Sequence, residues 1–97
     1  MNADTIEFLN TQLEHAIIHR RFANLKGLEN VITDVLDADK KIKLTLSQDT
    51  DFEKEKFDYD FVGTLIKEDE EIADIYIWAL YDRQKQLYIT ECEVVEV

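Results

Sequence analysis

The spacing of apolar positions changes once along this chain and divides it into a helical start and a stranded remainder. Over residues 4–26, Ile6, Leu9, Leu13, Ala16 and Ile17 recur at three- and four-residue spacing, which sets them on one face of an α-helix. Ile18, Phe22 and Leu25 continue the stripe, rotated around the axis. Asp4 stands where a cap belongs and Glu7 follows three residues on. That is the spacing of a capping box, with Asp replacing Ser or Thr. Gly27 is placed to end the helix, since it enters the left-handed conformation without a Cβ clash.

Residues 28–37 satisfy two periods. Leu28, Val31, Ile32, Val35 and Leu36 fit a helical stripe, whereas Val31, Ile32, Thr33 and Val35 are β-branched and suit a strand. Asp37, Ala38, Asp39 and Lys40 read as a turn, with Asp able to bond its own backbone. Ile42, Leu44 and Leu46 then alternate with Lys41, Lys43 and Thr45 in a strand. The pattern favours a hairpin of 30–37 with 40–47; a second helix is the alternative.

Beyond an acidic loop at 48–56, Phe57, Tyr59, Phe61 and Leu65 alternate, and Gly63 falls on their face. A glycine inside a strand marks a bulge or a crossing side chain. Residues 67–71 make a turn. Ala73, Ile75, Ile77, Ala79 and Tyr81 line the next strand, residues 82–86 turn again, and 87–96 form the last strand. Short turns imply an antiparallel meander. The expected fold is α+β, one domain over residues 1–97, with an N-terminal helix packed on a four- to five-stranded antiparallel meander sheet. That element order resembles cystatin-like folds in architecture alone; no inhibitor-loop motif accompanies it.

If the helix covers Phe57, Tyr59, Phe61, Ile75 and Ile77, the opposite face holds Val62, Ile66, Tyr76, Trp78 and Leu80 with Asp58, Asp60 and Asp74. The last strand assigns poorly. One parity is Leu87, Ile89, Glu91, Glu93 and Val95, the other Tyr88, Thr90, Cys92, Val94 and Glu96, and neither is cleanly apolar. An uncovered aromatic face marks an interface, with Trp and Tyr as anchors. A second copy of the chain is one candidate occupant, giving a homodimer. A helix over 28–36 covering that face is the alternative.

Charge sharpens the picture. The 97 residues carry 22 acids against 11 bases, a formal net charge of −11. Residues 1–30 are near neutral, so the excess lies in the stranded part. Such a surface repels nucleic acid and anionic membrane and attracts basic protein patches. With 45% apolar and 10% aromatic residues the chain has material for a core, which sets it apart from disordered acidic tracts. Cys92 is the single cysteine, in keeping with a reducing compartment. No apolar run approaches the ~18 residues of a membrane span, and the start lacks the pattern of a signal peptide. A cytoplasmic location is expected.

Catalytic and metal chemistry find little support. His15 and His19 share i, i+4 spacing, but a zinc site needs three or four ligands, and Glu14 or Cys92 would have to be supplied by the fold. Asp49, Asp51 and Glu53 begin like a calcium loop, yet Lys54 replaces its glycine and Asp60 its last glutamate. Cys92 between Glu91 and Glu93 reads as a structural thiol, because those charges oppose thiolate formation. Two glycines cannot form a dinucleotide motif. No enzyme, cofactor or metal is expected.

The expected function is a small acidic protein-binding module. Carboxylates at i and i+2 on a strand lie about 6.6–6.8 Å apart in rows, and duplex DNA presents roughly one charge per 3.4 Å of axis on each strand, part of whose field such rows can imitate. Such an array suits an inhibitor, immunity or DNA-mimic protein that occupies a basic surface of a nuclease or nucleic-acid-binding partner. The candidate contacts are Asp49, Asp51, Glu53, Glu55, Asp58, Asp60, Glu68, Asp69, Glu70, Glu71 and Asp74, with Tyr76 and Trp78 as apolar anchors. A homo-oligomeric accessory domain with no basic partner is the alternative.

Overall fold

Two helices lie side by side on one face of a curled five-stranded antiparallel sheet in the computed structural model, which describes residues 3–37, 42–48 and 60–97. In chain order the elements are α1 (Ala3–Ile17), β1 (Arg21–Phe22), α2 (Leu25–Asp37), β2 (Lys43–Gln48), β3 (Phe61–Lys67), β4 (Glu70–Tyr81) and β5 (Leu87–Glu96). Strands β2 to β5 form the expected meander. The short β1 pairs with β5 and completes the order β1-β5-β4-β3-β2. Residues 49–59, and with them Asp49, Asp51, Glu53, Glu55, Phe57, Asp58 and Tyr59, lie outside the described residues, as do positions 38–40 of the expected turn and Lys41 after it.

The first helix stops at Ile17, nine residues short of the boundary the periodicity suggests. The rotation of the apolar stripe at Ile18 marks the break. His19 turns the chain with φ 61°, and its N–H donates to the Ile89 carbonyl at 2.7 Å. The Arg20 guanidinium donates to the Ala16 carbonyl at 2.8 Å, satisfying an end group of the helix. Gly27 therefore ends nothing. It sits in the first turn of α2, where its N–H donates to the Asn24 side-chain oxygen at 2.9 Å, so Asn24 is the N-cap.

Residues 30–37 are helical, which overturns the expected hairpin with 40–47. A strand here would put Asn30 and Asp34 on the same face as Leu28, Ile32 and Leu36. The helix gathers the three apolar residues into one stripe instead, and all three are fully buried. Burying them contributes on the order of 5 kcal/mol or more. The helix-propensity cost of four β-branched residues is at most about 3 kcal/mol, so packing wins. This helix does not cover the aromatic face of the sheet. Its buried side chains join those of α1, β3, β4 and β5 in one core, on the inner face with Phe61, Leu65, Ala73, Ile75, Ile77, Ile89 and Val94.

Two bulges set which side chains face which way. Leu65 pairs with Ala73 and Ile66 with Glu71, leaving Ile72 as the extra residue. Trp78 pairs with Glu91 and Ala79 with Ile89, leaving Thr90 as the extra residue. The second bulge settles β5. Leu87 and Ile89 point inward before it and Val94 points inward after it, so one strand uses both parities. The Thr90 hydroxyl donates to the Trp78 carbonyl at 3.2 Å across the bulge. Gly63 marks no bulge. A Cβ there would collide with the Thr45 carbonyl and press on Ile75 and Leu46 at 3.0 Å each, so β2 and the Ile75 side chain close over it.

Candidate functional site

The outer face of the sheet carries the aromatic and acidic residues together because of the Thr90 bulge. On β4, Asp74, Tyr76, Trp78 and Leu80 point outward. The β5 residues paired with the first three are Val95, Glu93 and Glu91. Each aromatic thus has a carboxylate directly across from it, at the close distance of cross-strand neighbours. Val62 and Thr64 of β3 extend this surface. Tyr76 and Trp78 are half-buried, whereas Leu80 is 62% exposed and Val95 40%. Among the described elements both helices pack on the inner face.

The β3–β4 hairpin ends in a charged tip. Lys67 pairs with Glu70, so the loop is only Glu68 and Asp69. Both are left-handed, with φ 53° and 64°. Two left-handed residues in a two-residue loop make a type I′ turn, which matches the twist of the strands but strongly prefers Asn-Gly. Glu68, Asp69, Glu70 and Glu71 are all exposed. Asp60 acts within the fold instead. Its carboxylate accepts the Ala79 N–H at 2.8 Å and its own N–H donates to the Ile77 carbonyl at 2.9 Å, extending the ladder past the end of β3.

The free side of β5 is held at two points. Near its start, Ile89 exchanges bonds with His19 and Arg20. Near its end, the Asn10 side chain acts as a substitute strand: it donates to the Val94 carbonyl at 2.9 Å and accepts the Val94 N–H at 2.7 Å. Between these anchors α1 and β5 part, leaving a groove of about 550 Å³ lined by Asn10, Glu14, His15, Ile18, Trp78 and the segment Thr90–Glu93. Because Val94 directs both backbone groups to the free side, the alternation of an antiparallel ladder directs those of Cys92 the same way.

The groove is acidic, and its thiol is held in the protonated form. Burial first, then the charges of Glu14 and Glu93, push the Cys92 thiol up to about 12, so the thiolate needed for attack is absent at neutral pH. The sequence pointed to Glu91 and Glu93 as the opposing charges; Glu14, from the helix across the groove, takes the place of Glu91. His15 and His19 do not form a chelating pair. His19 lies beyond the end of α1, and its Nδ1 is 2.9 Å from the Tyr88 hydroxyl. Among the described residues, no group of three or more His, Cys, Asp and Glu is placed to hold a metal ion.

Of the residues the sequence singled out, Asp74, Tyr76 and Trp78 share the outer face, Glu68, Asp69, Glu70 and Glu71 share the hairpin tip, and Asp60 stands apart. Glu91 and Glu93 share the outer face with Asp74, Tyr76 and Trp78, Glu14 lines the groove beside it, and none of the three stood among the contacts expected from the sequence. The i, i+2 spacing of Glu91 and Glu93 was visible, but their facing depended on the bulge. No described helix is long and apolar enough to cross a membrane. No protein-family model, curated protein or solved structure matches this chain.

Proposed function

We propose that this chain is a small, non-catalytic acidic module that docks on a basic surface of a protein partner, of the kind that otherwise receives nucleic acid. One observation carries the proposal: Tyr76 and Trp78 lie on the outer face directly across from Glu93 and Glu91. Aromatic anchors beside carboxylates suit a surface of arginine and lysine, which offers both charge and stacking. Glu91 and Glu93 are two residues apart on one face, which sets their positions about 6.6–6.8 Å apart in a row of negative charge. The acidic hairpin tip adds long-range attraction, which raises the rate of encounter and makes it salt-sensitive.

A self-association of the outer face fits less well. Two-fold pairing brings like patches together, and Asp74, Glu91 and Glu93 would meet copies of themselves in a chain of net charge −11. Capture of partners from the native cell, at low and at high salt, tests the proposal. A bound basic protein that is lost in salt, and lost again when Glu68, Asp69, Glu70 and Glu71 are neutralised, is the expected result. Capture that ignores salt and those four residues but disappears with Trp78→Ala refutes it, and a two-chain sedimentation mass in its place assigns the face to a homodimer.

A further inference from the structure

The two edges of the sheet end differently. On one side β1 and the Asn10 side chain take up backbone groups of β5. On the other, β2 ends the strand order, and no described element pairs with its outer side. Edge strands are commonly protected by a proline, a bulge or several charges. β2 has no proline or bulge: its six residues pair with β3 in one unbroken register, and Lys43, at its first position, is the single charge. Its apolar row is also incomplete. Leu44 and Leu46 lie on the inner face, opposite Leu65 and Gly63. Both stay half-buried although α2 packs against β2.

Charge decides which strand fits there. Neither β2 nor β3 contains an acid, so in a chain of net charge −11 this edge is a place where two copies meet without opposing carboxylates. A basic strand finds no acid on β2 and is repelled by Lys43. We infer that β2 pairs with β2 of a second copy, antiparallel about a two-fold axis, so that two sheets become one. The register that sets Thr45 opposite its own copy pairs Leu44 with Leu46 of the second copy, and Lys43 with its Ser47. Both leucine rows are then covered from the side. Asp34 on the exposed side of α2 and the net charge act against association. Salt screens both, so association strengthens with salt, opposite in sign to capture of a basic partner. The pairing does not depend on what the outer face binds.

Sedimentation equilibrium of the full chain, from micromolar to millimolar and at low and high salt, tests the inference. A two-chain mass that grows with concentration and with salt is expected. Thr45 is exposed, so Thr45→Glu and Thr45→Lys leave the single chain folded, as circular dichroism checks. Each sets like charges face to face across the axis and is expected to weaken association about tenfold or more. An equimolar mixture of the two variants restores it. A one-chain mass under every condition overturns the inference, as does a dimer indifferent to both Thr45 changes; loss of that dimer in Trp78→Ala moves the contact to the outer face. The two proposals fail separately. A chain that stays single yet captures a basic partner in a salt-sensitive way removes only the β2 pairing, and a Thr45-dependent dimer with salt-insensitive capture removes only the acidic-module reading.

Discussion

The hairpin tip holds a strain that can be released and measured. Glu68 and Asp69 occupy the left-handed region at φ 53° and 64°, where a side chain with a Cβ costs about 1–2 kcal/mol per residue. Glu68→Asn with Asp69→Gly supplies the pair that a type I′ turn prefers. Glycine returns about 0.5–1 kcal/mol through the greater freedom of the unfolded chain. The expected net gain is about 1–2 kcal/mol, worth roughly 4–8 °C in Tm per kcal/mol for a domain of this size. The double change also removes two of four consecutive negative charges, so Glu68→Gln with Asp69→Gln serves as the charge control. Urea unfolding of all three proteins, followed by Trp78 fluorescence at about 1 M salt where exposed charges are screened, separates the two effects. An Asn-Gly protein with a midpoint no higher than that of the Gln-Gln control would mean the turn stores no backbone strain. A gain in stability accompanied by weaker partner capture would identify the acids as retained for binding at the expense of the fold.

Three further outcomes follow from the packing. Asn10→Leu strands the N–H and C=O of Val94 and is expected to cost about 2–4 kcal/mol by urea denaturation, with faster hydrogen exchange at Val94; an unchanged midpoint would deny Asn10 its role as a strand substitute. Gly63→Ala drives a methyl into the Thr45 carbonyl, so a loss of about 2 kcal/mol or more is expected, and a neutral result would show that β2 is free to move away. The Cys92 thiol, raised from 9.0 to about 12, should be alkylated at pH 8 two to three orders of magnitude more slowly in the folded protein than in urea. The raised value also favours the protonated folded state, so the stability it contributes is full below pH 9 and declines as pH climbs towards 12; equal alkylation rates with and without urea would contradict this.

The α+β class and the meander of β2 to β5 were legible in the sequence because period-two alternation and polar turns are local signals. Ile75, Ile77 and Phe61 announced the inner face for the same reason. The path of the chain between Ile17 and Asp37 was not legible in this way. Ending α1 early depends on Ile89 and Arg20, which satisfy the backbone around His19 from elsewhere in the fold. Making residues 25–37 a helix depends on a core ready to bury Leu28, Ile32 and Leu36 together. The candidate surface shows the same division. Composition and alternation alone dictated a strongly negative molecule with Trp78 and Tyr76 on one side of a strand. Which carboxylates join them was decided by one extra residue in β5: a bulge at Thr90 reverses side-chain parity, and that reversal is a property of pairing between strands rather than of either strand's own pattern.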